Sequence, residues 1–151
     1  MVVIAHNIRS LHNVGSLFRS ADAFGVERIW LTGFTGTPPR KEIAKTALGS
    51  ESRVPWTWTE DVFETVRTLR ADGYSIIGLE TGKGTLPINS FHHSGAERLA
   101  LVLGSEVEGI EDPLRSSLDA LVEIPMPGCK RSLNVSVAAG IALFVLSQKT
   151  A

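Results

Sequence analysis

Three short segments of this sequence combine charged, amide or hydroxyl side chains with glycine or proline, and they are the candidates for chemistry. They are residues 13–19 (Asn-Val-Gly-Ser-Leu-Phe-Arg), residues 103–109 (Leu-Gly-Ser-Glu-Val-Glu-Gly) and residues 124–134 (Ile-Pro-Met-Pro-Gly-Cys-Lys-Arg-Ser-Leu-Asn). The first offers a guanidinium to a carboxylate or phosphate, and the second offers two carboxylates. The prolines of the third force an irregular path whose backbone amides and carbonyls could bind an adenine or a ribose.

Each segment also has a purely structural interpretation. Arg19 has core-like helical neighbours, so its guanidinium either extends to solvent or meets an anion, and alone the solvent interpretation is favoured. The two glutamates of the second segment could hold a cation or orient a catalytic group, although solvated loop glutamates are commoner. Ser132 and Asn134 are expected to cap the last helix, and Asn13 can cap the first.

Several other kinds of site are not expected from the sequence. Gly82-Lys83-Gly84 lacks the spacing of a phosphate-binding P-loop, and no Gly-x-Gly-x-x-Gly motif follows the first predicted strand. The four histidines and Cys129 show no metal-ligand spacing, so no metal is expected. A single cysteine cannot form an internal disulfide, which fits a reducing, cytoplasmic setting.

The composition is that of a globular domain. With 151 residues, 43% apolar and 21% charged, the chain predicts a single domain over residues 1–151. No apolar run reaches about 18 residues and no signal peptide is visible, so neither a membrane span nor a membrane partner is expected. The net charge is −1, but residues 1–53 carry seven basic and four acidic groups. This asymmetry permits a polyanion to dock there, although solvated helix faces explain it about as well.

Short apolar runs alternate with amphipathic stretches, which predicts an α/β fold with a mostly parallel sheet flanked by helices. The strands are predicted at residues 2–5, 28–32, 54–57, 74–79, 99–103 and 121–124. The helices are predicted at residues 14–24, 40–48, 60–72, 113–117 and 135–147, with an irregular stretch over 82–94. The last helix is almost wholly apolar, so it is predicted to be buried on more than one side. Because ligands gather beyond the carboxyl ends of parallel strands, the three segments should meet at one edge.

Taken together and in this order, the three segments resemble the signature motifs of the SpoU branch of the SPOUT RNA methyltransferases. The most specific part is the run Ile-Pro-Met-Pro-Gly-Cys-Lys-Arg-Ser-Leu-Asn-Val-Ser-Val-Ala-Ala-Gly at 124–140, together with Leu-Gly-Ser-Glu at 103–106. The resemblance implies a C-terminal deep trefoil knot that holds S-adenosylmethionine, and a homodimer with its site at the subunit interface. General topology rules would have rejected a knot.

The resemblance also implies roles for individual residues. The catalytic set it implies is Asn13, Arg19, Glu106, Ser132 and Asn134, and the cofactor contacts are Leu79, Gly104, Ile124, Met126, Ser132 and Leu133. RNA contacts are expected at Arg9, Arg19, Lys130 and Arg131. The family's second motif usually has glycine where this chain has Val107. Because a β-branched residue is poor at positive φ, a different turn is expected there.

The activity implied is ribose 2′-O-methylation of tRNA or rRNA, with tRNA favoured and S-adenosylhomocysteine as the product. Many relatives carry an N-terminal RNA-binding domain, and this sequence resembles the minimal members that lack a separate one, although the catalytic part of a longer protein would look the same. A non-catalytic RNA-binding or assembly module that retains the fold is the main alternative. A small-molecule enzyme on a flavodoxin-like sheet is disfavoured because no phosphate loop is present.

Overall fold

A computed structural model describes residues 1–94 and 97–148 of the chain. The strands are Val2–His6 (β1), Arg28–Thr32 (β2), Trp56–Thr59 (β3), Tyr74–Leu79 (β4), Leu86–Pro87 (β5), Arg98–Leu103 (β6) and Ala120–Glu123 (β7). The helices are Leu11–Ala23 (α1), Lys41–Ala47 (α2), Val62–Ala71 (α3), Asp112–Arg115 (α4) and Val135–Gln148 (α5), with one 3-10 turn at Ser50–Ser52. None of the helices in this part of the chain is long and apolar enough to cross a membrane.

The seven strands form one sheet in the order β3-β2-β1-β6-β4-β7-β5, and every pair in it is parallel. An α/β fold with a mostly parallel sheet, the prediction from the sequence, is therefore confirmed. Strands β1 and β6 lie at the centre, and their near-continuous apolar sequences are covered on both faces. Two buried clusters result, one including Phe18 and Leu143 from α1 and α5, the other including Val66 and Leu114 from α3 and α4.

The order of the strands at one end of the sheet is unusual. Strand β7 pairs with both β4 and β5, so it lies between two strands that precede it in the chain. The segment of residues 80–85 joins β4 to β5 across the carboxyl end of β7. The chain that leaves β7 at residue 124 must therefore cross the connection formed by residues 80–85 before it reaches α5.

Two elements predicted from the sequence have wrong boundaries, and a third element was missed. Helix α1 begins at Leu11 and not at residue 14, because Ser10 is the N-cap and its hydroxyl accepts a hydrogen bond from the backbone N–H of Asn13 (3.1 Å). Strand β3 lies two residues later than predicted, since a 3-10 turn and Pro55 come first. The stretch over residues 82–94 contains the two-residue strand β5, which is too short to leave a pattern.

The prediction that the last helix is buried on more than one side is wrong for the single chain. One side of α5 packs on the sheet and on α1 through Ala139, Leu143 and their neighbours. The opposite side presents Val137 and Phe144, which are 51% and 53% exposed, with Ile141 between them. The apolar composition reflects one buried face and one open apolar face.

Candidate active site

A cleft of about 420 Å³ opens beyond the carboxyl ends of β4, β6 and β7. All six residues predicted to contact a cofactor line this one cleft, and so do three residues of the predicted catalytic set, Glu106, Asn134 and Ser132, the last of which belongs to both sets. Those six are Leu79, Gly104, Ile124, Met126, Ser132 and Leu133. The structure thus brings the second and third sequence segments together, as the parallel sheet requires.

The turn at residues 103–109 forms the first wall of the cleft. The backbones of Ser105 and Gly109 exchange two hydrogen bonds of 3.1 and 3.0 Å, and the Ser105 hydroxyl accepts one from Glu108 N (3.0 Å). A Cβ on Gly104 would overlap the carbonyl carbon of Gly109, because the returning chain passes directly over it. The backbone conformation with positive φ in this turn is adopted by Gly109 and not by Val107. Val107 therefore fits the turn without backbone strain.

Glu106 ties this wall to the start of α1. Its carboxylate accepts hydrogen bonds from the backbone N–H of Arg9 (2.9 Å), the backbone N–H of Ser10 (3.1 Å) and the side-chain amide of Asn13 (3.1 Å). Partial burial by itself raises the pKa of this carboxyl, but the hydrogen bonds together outweigh burial and leave the pKa lowered. Glu106 is therefore held as an anion in a fixed position.

The amide of Asn13 continues this connection to α5. Its Oδ1 accepts a hydrogen bond from Asn134 Nδ2 (3.2 Å), and Asn134 Oδ1 accepts from Ser136 N (2.9 Å) and Val137 N (3.3 Å). Asn134 therefore caps α5 as predicted, but Ser132, also predicted to cap it, makes no hydrogen bond to α5 within the described residues. The N-cap of α1 is Ser10 and not Asn13. Asn13 instead links residues 106 and 134, so three members of the predicted catalytic set form one hydrogen-bonded chain.

Within the described part of the chain, Arg19 is the member of the predicted catalytic set that neither lines the cleft nor hydrogen-bonds to a residue that lines it. It is exposed on α1 and is not among the described residues that line the cavity. Its position is six residues beyond Asn13, about 9 Å along the helix axis and on another side of it. Within one chain, the structure does not bring the guanidinium to the cofactor contacts.

Lys130 and Arg131 line a second hollow of about 320 Å³ beside the first. The two hollows share Thr81, Ile124 and Met126, so they are continuous along the rim of the cleft. Both cationic side chains are exposed, which leaves them available to a large anionic ligand.

Sequence reasoning missed Glu80, which lines the cleft and hydrogen-bonds to the residue that follows the first wall. Its carboxylate accepts hydrogen bonds from Ile110 N (2.8 Å) and from Thr81 N (2.9 Å), and it lines the cavity. The available signal was an acidic residue placed directly after the apolar strand β4, at the edge of the sheet where ligands bind.

The cleft has the size and lining of a small-molecule site. Its volume lies within the range of about 300–1,000 Å³ typical of such sites. Apolar side chains at residues 79, 124, 126 and 133 can pack on a planar base, while the polar groups around Gly104 and Ser132 can hydrogen-bond to it. Among the described residues, no group of three or more histidine, cysteine or acidic side chains could hold a metal ion.

Comparison with known proteins adds sequence relatives that share nearly the whole chain. Residues 1–144 match the family described as SpoU rRNA Methylase. The 23S rRNA (guanosine-2′-O-)-methyltransferase RlmB of Vibrio vulnificus (strain CMCP6) is 35% identical over 144 residues, which are 95% of this chain and 57% of that protein. The chain thus spans a little over half the length of the curated relatives it matches.

Solved structures share the same fold. The AdoMet-bound rRNA methyltransferase of Sinorhizobium meliloti superimposes with a TM-score of 0.90 at 28% identity, covering 97% of this chain and 55% of that one. The TrmH/SpoU tRNA modifying enzyme of A. aeolicus superimposes with a TM-score of 0.87 at 26% identity, covering 98% and 74%.

Proposed function

This chain belongs to the SpoU rRNA methylase family, and from that premise we propose that it is an S-adenosylmethionine-dependent RNA ribose 2′-O-methyltransferase. The observation that carries the proposal is the single cleft lined by all six expected cofactor contacts, beside the hydrogen-bonded chain of Glu106, Asn13 and Asn134. The names of the relatives support the reaction, since they are 2′-O-methyltransferases and RNA methyltransferases.

The donor set of the cleft fits S-adenosylmethionine. Leu79, Ile124 and Leu133 offer apolar surface for an adenine, and Glu80, Glu106 and Glu108 give the cleft a negative rim that suits a sulfonium cation. Among the described residues, the backbone amides and carbonyls of residues 125–133 have no hydrogen-bond partner, so they can bind the edges of the base and the ribose. When bound, the cofactor supplies an electrophilic methyl group and leaves as S-adenosylhomocysteine.

The residues of the chain must align the attacking 2′-oxygen with that methyl group and ease the loss of the hydroxyl proton to solvent. Arginine is always protonated in proteins, so Arg19 is not a literal base. It binds the substrate phosphate and stabilises the negative charge that forms on the 2′-oxygen. Glu106, Asn13 and Asn134 act as positioning residues, because their polar groups already bind one another, and Ser132 offers its hydroxyl at the cleft.

In a homodimer, the Arg19 that acts at the cleft of one subunit would come from the partner subunit. The exposed side of α5, with Val137, Ile141 and Phe144, is the kind of apolar surface that a partner covers. Phe144 also packs edge-on against Phe24 at the end of α1, so the exposed faces of the two helices adjoin. We expect a second copy docked on this face to bring its own Arg19 to the cleft, so the proposal includes a site shared between two subunits.

The C-terminal trefoil knot belongs to the same proposal. It is supported by the position of β7 between β4 and β5, because the chain after residue 123 has to cross the connection at 80–85. A crystal structure that traces residues 79–88 and 120–134 tests it. A chain that passes outside the 80–85 connection would remove the knot from the proposal.

The RNA class is proposed as rRNA or tRNA, and the preference for tRNA stays a prediction. The curated relative described above is named for 23S rRNA, and the A. aeolicus enzyme is named for tRNA. Mass spectrometry of ribose-methylated nucleosides from separated tRNA and rRNA, with and without the gene, distinguishes the two.

The function itself is tested by calorimetric titration and by a transfer assay. We expect binding of S-adenosylmethionine and of S-adenosylhomocysteine, and transfer of radiolabelled methyl groups to ribose in total RNA. Binding of RNA with no affinity for either cofactor form would instead favour the non-catalytic module.

The Arg19→Ala substitution is expected to abolish methyl transfer while the affinity for S-adenosylmethionine changes less than about threefold. The reason is that the guanidinium stabilises charge formed only during transfer and does not line the cleft. Mixing Arg19→Ala subunits with Gly104→Ala subunits should restore part of the activity if the guanidinium crosses from the partner, because one composite site is then complete. Near-normal turnover by Arg19→Ala alone would remove the residue from the mechanism.

A further inference from the structure

We propose that Phe34, Trp58 and Arg9 form a stacking surface for an RNA base next to the methyl-transfer cleft. This inference rests on the proposed function for the class of ligand, but its own basis is a separate group of residues outside the cleft. We call these three residues the aromatic patch. Phe34 is 57% exposed and Trp58 is 48% exposed, so both rings are open to a ligand.

The fold holds the rings of the aromatic patch in place. Asn7 Oδ1 accepts a hydrogen bond from Phe34 N (3.1 Å), and Trp58 Nε1 donates to Gly33 O (3.0 Å). Gly33 has a positive φ, and a Cβ there would overlap Asn7 Oδ1. Thr35, which follows Phe34, is buried, and its hydroxyl donates to Ala5 O (3.0 Å). A turn fixed in this way presents an exposed phenyl ring at little entropic cost to a ligand.

The charge around the aromatic patch suits a nucleic acid. The guanidinium carbon of Arg9 lies 5.5 Å from the centre of the Phe34 ring, so one face of the patch is cationic. The loop that carries Phe34 ends at Arg40 and Lys41, which are also exposed. Aromatic rings beside arginine are the surface on which unpaired RNA bases stack, with the phosphates near the cations.

The aromatic patch is joined directly to the cleft. The backbone N–H of Arg9 donates to Glu106 Oε2 (2.9 Å), so the residue that covers Phe34 is anchored to the first wall of the cofactor site. A base held there would therefore lie beside the part of the cleft rim that Glu106 forms. The proposed role is therefore to fix a base adjacent to the methylated nucleotide.

The test compares RNA with and without bases. A fluorescein-labelled single-stranded RNA of mixed sequence, and a matched strand with abasic residues, are titrated against the full chain and its variants. Phe34→Ala should weaken binding of the base-containing strand about tenfold and leave binding of the abasic strand unchanged. Phe34→Tyr should retain the affinity, and Trp58→Ala should act in the same direction as Phe34→Ala.

The control is Leu86→Ala on β5, which removes a 52% exposed apolar side chain at the other edge of the sheet. Unchanged affinity of Phe34→Ala, an equal loss for both strands, or no RNA binding by the unmodified chain would overturn the proposal. The same preparations are titrated with S-adenosylmethionine. A base-dependent loss in Phe34→Ala without cofactor binding by the unmodified chain would support the aromatic patch and contradict the methyltransferase assignment.

Discussion

The turn at residues 103–109 and the segment at residues 125–133 both line the cleft, but their polar groups are satisfied very differently. The first is closed by the Ser105–Gly109 hydrogen-bond pair and is tied to Glu80 and to the start of α1. Within residues 1–94 and 97–148, no hydrogen bond involves any residue of 125–133, and eight of these nine residues are exposed. The polar groups of the turn at 103–109 already bind other protein groups, whereas those of the segment at 125–133 are available to a ligand.

This difference indicates that the two walls have different roles in binding the cofactor. The first wall fixes the geometry of the cleft, because its backbone cannot shift without breaking several hydrogen bonds at once. The second wall can adapt to the ligand, and Pro125 and Pro127 limit the conformational freedom that it loses on binding. Substitutions in the first wall should therefore be far more damaging than matched substitutions in the second.

The largest contrast is expected between Gly104→Ala and Gly128→Ala. The new methyl group at 104 would overlap the backbone of Gly109, so the wall must move, and affinity for S-adenosylmethionine should fall on the order of 100-fold. At 128 the methyl group meets no atom within 4 Å, so the affinity should stay within about twofold. Calorimetric titration and thermal unfolding of both variants measure this contrast, and equal effects would contradict different roles for the two walls.

A smaller effect is expected from Glu106→Gln, which keeps the shape of the side chain but replaces one acceptor oxygen by a donor group. The start of α1 loses part of its attachment, so methyl transfer should fall about 10- to 100-fold, because misplacing a reacting group is costly. The stability should fall by only about 1 kcal/mol, since the carboxylate is only partly buried and solvent weakens its hydrogen bonds. Glu64→Gln on α3 provides an exposed carboxylate as the control.

The pH dependence sharpens this prediction. The folded-state pKa of Glu106 is lowered, so its stabilising contribution is present above the unfolded value of 4.5 and is lost as the pH falls through the lower folded value. The difference in Tm between the unmodified chain and Glu106→Gln should therefore shrink as the pH is lowered from 7 to below 4. A constant difference over that range would show that the carboxylate is not held as an anion.

The sequence predicted which segments form the walls of the cleft better than it predicted the hydrogen bonds that link those segments to the rest of the fold. The segments were found because glycine, proline and acidic residues follow apolar strands, and parallel strands bring such ends to one edge. Glu80 was missed because a lone acid after a strand has no motif. The link from Glu106 to Asn13 joins residues 93 positions apart, so no local pattern reveals it. Periodicity likewise cannot tell which face of α5 stays open, since almost every position there is apolar.

The smallest effect is expected at the outer rim of the second wall, from the Lys130→Ala/Arg131→Ala double variant. Both side chains are exposed beside the cleft, so they can neutralise RNA phosphates without touching the cofactor. RNA affinity should fall about tenfold, and the slope of log affinity against log salt should become shallower by about 1.4 to 1.8, because each of the two lost phosphate contacts removes about 0.7–0.9. Arg67→Ala on α3 is the control for a removed exposed charge. Fluorescence anisotropy across a salt series gives both quantities. An unchanged slope would mean that the second wall contacts the cofactor but not the RNA.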